Sequence, residues 1–312
     1  MSVSKSRGGD LLILKQPLAK NTSLTRAKVP NNFLLCSAAQ AGFNKNGVFL
    51  ITNFRAFLKT QLKNTPGLYR LAKLLYEQYK KRIDTWRTLA IHPDVEVVNF
   101  SRQKIERLHA EHYKSQFGQD YYLLKKIFAN HSSGSFIEIG ANHPIKNNNS
   151  YAFEKAGWTG WAFDPLSRFR ESWQSEREAA FILAALSDAN GKRLFVEFEG
   201  NQGWEHKLSG FADSVRPEDL KIHSHRTYEV ECHPLDYFLP NLSHVDLALI
   251  DVEGAELSVI AGLGLDKIQI DWILVENVMK LGGDEKVREV LLKKGYIFRA
   301  RIASTDDLFQ RL

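Results

Sequence analysis

Acidic and amide side chains in this chain recur directly after short apolar runs. Residues 136–142 read FIEIGAN, 161–165 WAFDP, 184–188 AALSD, 245–253 VDLALIDVE and 273–277 ILVEN. The residues that follow the apolar positions are Glu138, Gly140 and Asn142, then Asp164, then Ser187 and Asp188, then Asp251 and Glu253, then Glu276 and Asn277. One Asp or Asn at a strand end is often only a cap or a turn former. Five such ends in one chain converge on a single crevice, because ligands of open α/β sheets bind outside the carboxyl ends of the strands. Glu138 is the oddest of the group. It stands inside an otherwise apolar run, and a buried unpaired carboxylate is costly. It must therefore be solvated, paired or meeting a ligand.

An acidic crevice suits a ligand with hydroxyls, an amine and positive charge. S-adenosylmethionine carries all three. A dinucleotide site would need three glycines in its first turn so that the backbone can approach a pyrophosphate. The turn here, GANHPI, has one glycine, and there is no phosphate-binding P-loop motif. Asp164, about 25 residues past that turn, is placed to accept both ribose hydroxyls. Ser187 and Asp188 are placed to reach the adenine amino group.

The elements that must position these residues alternate. Residues 119–130 read as a helix, 135–140 as a strand, 150–157 as a short helix capped by Asn149 or Ser150 and ended by Gly157. Then come a strand at 160–164, a helix at 167–177 and a strand at 180–187. KRLFVEFEG and RTYEVECHPL form an antiparallel excursion. Residues 245–251 return as a near-continuous apolar strand, followed by a helix at 255–263, a strand at 270–276, a helix at 284–295 and one or two closing strands. The rhythm is that of a doubly wound, Rossmann-like, mostly parallel α/β sheet.

Upstream of residue 115 the pattern is different. Residues 1–30 are polar and unpatterned, and are expected to be loosely ordered. Residues 31–114 read as a basic helical region. Leu68, Leu71, Leu74, Leu75, Tyr79 and Ile83 recur at helical spacing after Pro66 and Gly67. A weaker helix is predicted over 49–62 and another over 101–113. Residues 1–114 hold 20 Lys and Arg against 7 Asp and Glu, so they carry +13, and the remainder carries −7. Such an excess attracts an anionic carrier or a membrane surface, or else solvates a helical appendage that covers the site or holds a homodimer. The chain has 44% hydrophobic and 25% charged residues, as ordinary globular proteins do. No secretory leader or membrane span is evident, and Cys36 and Cys232 form no disulfide framework or metal spacing. The expected location is cytoplasmic.

From about Ser115 onward the chain resembles the FkbM family of S-adenosylmethionine-dependent methyltransferases. The resemblance rests on SQFGQDYYLLKKIF, on GSFIEIGANHPIKNNNSYAFEKAGWTGWAFDP, on AALSD, on VDLALIDVEGAELSVIAGL and on ILVE, in that order. It implies a seven-stranded class I methyltransferase sheet. It implies cofactor binding by Gln119, Glu138, Gly140, Asn142, Asp164, Ser187 and Asp188, and methylation of a hydroxyl on a sugar, glycoconjugate or natural product. Family members often carry Asp where Glu138 stands and Glu where Asp164 stands, and both swaps keep a carboxylate. His143-Pro144 departs from the family's usual continuation and places an imidazole in the first loop.

Methyl transfer to a hydroxyl needs alignment and removal of a proton. Asp251 is the first choice for that role and Glu253 the second, with Glu256 and Glu276 in reserve. Asp251 with Glu253 is compatible with Mg²⁺, but no metal is favoured. The plainer readings are that Asp251 caps the following helix, that Glu256 answers that helix's dipole, and that His143 is a loop residue. His223, His225 and His233 offer a base in the excursion, and Trp204 beside Gln202 a platform for a sugar ring. Trp158, Trp161 and Trp173 are expected in the core or at its rim. Three rivals remain: an inactive binding protein on the same fold, a nucleic-acid methyltransferase using the basic region, and a nucleotide-sugar transferase. The acidic catalytic half would repel phosphates, so no nucleic-acid partner is favoured.

Overall fold

The computed structural model describes residues 65–200, 202–278 and 283–312. The expectations for residues 1–30, for the helix over 49–62 and for Cys36 lie outside the described residues. The described residues fall into two compact units, divided between Ile83 and Asp84. The helix Pro66–Ile91 begins at the Pro66 signal, and Pro is favoured in a first helical turn because its missing N–H has no partner there anyway. Its first eighteen residues belong to the smaller unit.

The larger unit contains two sheets. In chain order its strands are β1 (Glu96–Val98), β2 (Ser135–Ile139), β3 (Thr159–Phe163), β4 (Ala180–Ile182), β5 (Ala185–Leu186), β6 (Gly191–Glu199), β7 (Gly210–Phe211), β8 (Ser224–His233), β9 (His244–Ile250), β10 (Gln269–Glu276), β11 (Tyr296–Ile302) and β12 (Asp306–Arg311). The main sheet runs β1-β11-β12-β10-β9-β2-β3-β4. From β10 to β4 its neighbours are all parallel, and β12 is antiparallel to both β10 and β11. The described sheet thus has eight strands rather than the expected seven. β1, from the stretch read as N-terminal helices, adds in parallel to β11.

The run read as one strand over 180–187 is two. β4 pairs with β3 on the main sheet. The chain then turns, with Ala184 N–H donating to Ile182 C=O, and β5 pairs with β8 in the second sheet, ordered β5-β8-β6-β7. An edge strand has a row of open backbone groups, and the switch gives residues 185–186 partners that the main sheet's edge lacks. β6 and β8 pair antiparallel over nine residues, as the excursion's alternation suggested. The helix read over 119–130 is α-helical only over Gln119–Tyr122 and continues as a π-helical turn over Leu123–Ile127.

Alternation along the strands divides the core. Ile137, Ile139, Ile250, Ile273 and Val275 pack on one face, toward Val259, Ile260, Val287 and Leu291 of the helices Glu256–Gly262 and Glu285–Lys293. Phe136, Ala162, Leu249 and Leu274 pack on the other, with Phe153, Trp158 and Trp173. β9 and β10 are apolar on both faces, as covered parallel strands must be. Trp158 and Trp173 are core residues and Trp161 is partly buried, as expected. Cys232 is a buried free thiol. A buried ion network locks the closing strands: Arg301 reaches Asp84 and Asp307 at 3.0 Å each, and Arg288 reaches Asp307 at 2.8 Å. Removing one partner would strand a buried charge.

Candidate functional site

The parallel strands β3, β2, β9 and β10 end side by side, and one crevice opens over their carboxyl ends. It is lined by Glu138, Gly140 and Asn142 from β2 and its turn, Asp164 after β3, Asp251 and Glu253 after β9, and Glu276 at the end of β10. Four strand ends separated by up to about 140 residues of sequence therefore meet as the spacing implied.

Gly140 is required by this meeting. Its φ is +79°, and a Cβ there would lie 1.8 Å from the carbonyl oxygen of Asp251. The two turns are stitched together by Asp251 N–H, which donates to Ile139 C=O at 3.0 Å. Gly140 thus lets the turns after β2 and β9 touch.

Glu138 lies on the aromatic face of β2 and is 4% exposed. It is paired rather than solvated. Its carboxylate accepts from Asn148 Nδ2 (2.8 Å), Asn149 N–H (3.0 Å) and Ser150 Oγ (2.6 Å). Burial pushes its carboxyl up, against the opposing pull of Arg177 and these three donors. Ser150 holds the N-cap position of the helix Tyr151–Lys155 but its side chain does not cap it. Asn148 does that work, its Oδ1 accepting from the N–H of Ser150 and of Tyr151. Ser150 is thus the cap residue by position, as one of the two expected candidates, but the capping side chain is that of Asn148, because the Ser150 hydroxyl is drawn to the stronger, charged acceptor.

Asp164 is equally buried. One oxygen accepts from Asn142 N–H and the other from Leu166 N–H, both at 2.7 Å. Burial raises its carboxyl to about 6 despite these bonds. A carboxylate offers about four acceptor sites, so two remain for a ligand in the crevice. Asn142 adopts a left-handed φ of 49°, which Asn tolerates better than most residues, and its carbonyl accepts from Trp173 Nε1 at 2.7 Å.

The remaining carboxylates are held differently. Oxygens of Asp251, Glu253 and Glu276 lie within 4.8 Å of one another. None of the three side chains takes a hydrogen bond from a described residue. Burial raises the Asp251 carboxyl well above its usual range, and Glu253, Asp306 and Glu256 raise it further. Glu253, at a left-handed φ of 52°, is raised to about 7 by burial and by Glu256. Glu276 is raised by burial and then by Asp251 and Glu253. Raised carboxyl groups in this arrangement can take up a proton, and their spacing is also close enough for three hard oxygen ligands to share one divalent cation. Glu256 is buried in the first turn of its helix and accepts from Gly254 N–H, so it serves the helix start rather than the crevice.

Several crevice residues had no sequence signal. Lys207 and His206 come from the 3₁₀ turn Glu205–Leu208 between β6 and β7 and reach the crevice wall. Lys207 is drawn electrostatically by Asp251 and Glu253 but closes no ion pair with them, and burial lowers its ammonium. Burial, with Arg168 and Lys207, lowers His206 to about 4, so it is neutral. Behind the lining, the buried Asp306 opens β12; burial raises its carboxyl to about 6, and its charge in turn raises Asp251.

Other expected site residues fall outside the lining. Gln119 is buried and donates from Nε2 to Asp306 at 3.0 Å, while its Oε1 accepts from Phe117 N–H. Asp188 is exposed and accepts from Ser258 Oγ at 2.7 Å, and Ser187 shares a hydrogen bond with the same Ser258. The crevice wall there is Ala184, Ala185 and Leu186 instead. The chain's switch of sheets at this point turns Ser187 toward the helix Glu256–Gly262. His143 uses Nδ1 to accept from the N–H groups of Ile145 and Lys146, a loop role. His223, His225 and His233 do not line the crevice. Trp204 is 41% exposed and donates to Gln202 Oε1 at 3.0 Å.

A doubly wound α/β sheet with strand-end acids gathered over its parallel strands is the frame of a methyltransferase. The methyltransferase FkbM domain model matches residues 138–298, from the buried Glu138 into β11, and the chain belongs to that family. No curated protein matches the chain. No helix among the described residues is long and apolar enough to cross a membrane.

Proposed function

We propose that the protein is an S-adenosylmethionine-dependent O-methyltransferase acting on a hydroxyl of a sugar, glycoconjugate or natural product. The observation that carries this reading is the division of one crevice into two acidic halves. Glu138, Asn142 and Asp164 form an ordered half suited to an amino acid and a ribose. Asp251, Glu253 and Glu276 form a basic half beside it. Asp164, with two acceptor positions left, receives the ribose hydroxyls. Glu138 and the Gly140 turn flank the methionine end.

S-adenosylmethionine, held by Asp164, Glu138 and the Gly140 turn, would supply an electrophilic methyl carbon to the acceptor oxygen, its carbon–sulfur electron pair staying with sulfur in S-adenosylhomocysteine. The sulfonium is already a good leaving group, so alignment and proton removal are what the protein supplies. The Asp251 carboxylate takes the hydroxyl proton, and its raised pKa makes it a stronger base than an ordinary Asp. Glu253 is the second acceptor in the same cluster. Lys207 balances the charge left after the proton moves on. Neighbouring unpartnered carboxylates favour a hydroxyl acceptor over an anionic one, because phosphates would be repelled.

Calorimetric titration with S-adenosylmethionine and S-adenosylhomocysteine tests the reading. Binding of both is expected. Binding of neither would remove the cofactor assignment. Turnover against a panel of glycans, followed by transfer of labelled methyl, identifies the acceptor. Loss of that turnover on chelation, with recovery on adding Mg²⁺, would give the carboxylate trio to a metal rather than to the proton.

A further inference from the structure

Within residues 66–83 the helix turns its apolar stripe outward. Leu68, Leu71, Leu74, Leu75 and Tyr79 are each more than half exposed, at 53–56%. Steps of three and four residues put Leu68, Leu71, Leu75 and Tyr79 in one row, with Leu74 beside it. Isolated exposed leucines need no explanation, but a contiguous row of this kind marks a binding face. Cations border it. At 100° per residue Arg70 and Lys81 lie next to Leu74, and Arg82 stands within the row, where a long side chain can lay its stem on apolar surface and lift its charge clear. Residues 66–83 contain five Lys and Arg and one acid, Glu77. Residues 1–114 as a whole carry +13.

We propose that this helix lies in the surface of an anionic lipid bilayer, its leucines and Tyr79 in the acyl boundary and its cations among the headgroup phosphates. An apolar face edged by Lys and Arg on a helix too polar to span is the pattern of an interfacial helix. Each cation near an anionic leaflet adds to the attraction, which salt weakens. The same charges oppose pairing with a second copy. Two such faces would bring Arg82 and its neighbours on each chain together, and Gln78 and Arg82 interrupt the apolar seam that a helix pair needs. The proposal stands apart from the methyl-transfer reading, and its test needs no cofactor.

The full chain is sedimented with vesicles of phosphatidylcholine alone and of phosphatidylcholine mixed with phosphatidylglycerol. Binding is expected to the anionic vesicles, falling as salt rises. Leu71→Gln with Leu75→Gln should weaken it by about tenfold or more, with the circular dichroism melt unchanged, since both side chains are exposed. Arg70→Gln, Lys81→Gln and Arg82→Gln together should remove most of the preference for anionic vesicles and flatten the salt dependence. Equal binding to both vesicle types, or none, overturns the proposal. So does a Leu71→Gln/Leu75→Gln protein that binds as the parent does. If that variant instead halves the mass measured by light scattering, the stripe is a seam between two copies and the lipid assignment fails.

Discussion

Glu138 and Asp164 take three and two hydrogen bonds from their own chain, whereas Asp251, Glu253 and Glu276, a few ångströms along the same strand edge, take none from any described residue. The first set is buried and the second is partly exposed in the crevice, and in both desolvation raises the carboxyl groups. The difference is what opposes that burial. In the first half, donors from residues 142, 148–150 and 166 fix the carboxylates in one orientation before any ligand arrives. In the second half, among the described residues, mutual repulsion is opposed only through space, by Lys207 and, at Glu253, by Arg216. A preorganised half suits recognition, where reorganisation costs affinity. A crowded half of raised basicity suits a proton or a cation, since either relieves the repulsion.

The comparison can be broken most severely where the two halves touch. Gly140→Ala places a methyl group into the Asp251 carbonyl at a backbone angle that L residues avoid. A loss of about 4 kcal/mol or outright misfolding is expected, read by urea unfolding. An unchanged unfolding midpoint would mean the halves are not wedged together as described. Next in size is the contrast between Asp251→Asn and Asp164→Asn. The first should cut turnover by about a hundredfold or more and leave S-adenosylmethionine affinity within a few-fold. The second should weaken that affinity by about ten- to a hundredfold through loss of charge-assisted bonds. If the two variants behave alike, the crevice has one job and not two.

A subtler test is pH. Carboxyl groups raised in the folded protein keep protons that the unfolded chain has lost, so stability should fall as pH rises from about 4 through about 7, the folded values being about 6 for Asp164 and Asp306 and about 7 for Glu253. Glu253→Gln should remove part of that fall, giving about 1 kcal/mol of added stability above pH 7 once partial exposure is allowed for. The comparison of melting temperatures at pH 5 and pH 8 reads it, and an equal effect at both values would contradict the raised carboxyl. The smallest expected change is from Lys207→Met. Without its ammonium the Asp251 carboxyl rises further, and the acid limb of the turnover profile should move to higher pH, with Lys207→Arg restoring most of it. No movement would place Lys207 outside the proton path.

Much of the crevice was legible because its signal is local. An apolar run, a glycine and an acid spell a strand end in a few residues, so Glu138, Asn142, Asp164, Asp251 and Glu276 could be named before any fold was known. The readings that local pattern could not decide involve competition between partners. Ser150 looks like a cap until a buried carboxylate is seen to claim its hydroxyl. Ser187 and Asp188 look like a third cofactor turn until the chain is seen to change sheets two residues earlier and hand them to Ser258. His143 could have been a base or a loop residue by type; its Nδ1 is occupied by two loop N–H groups, in line with the plainer reading.

By itself the sequence determined the alternating α/β order, the edge of the sheet where ligands gather and the residue types that stand there. Periodicity and turn chemistry encode these within windows of about ten residues. Only the tertiary structure decided which carboxylates are satisfied and which are not. It also brought Lys207 and His206 out of a loop between β6 and β7 into a crevice made by other strands, and set Asp306 of the closing hairpin close enough to raise the Asp251 carboxyl. Those outcomes depend on contacts between residues far apart in the chain, where the identity of a partner is fixed by how strands pair and not by any local pattern.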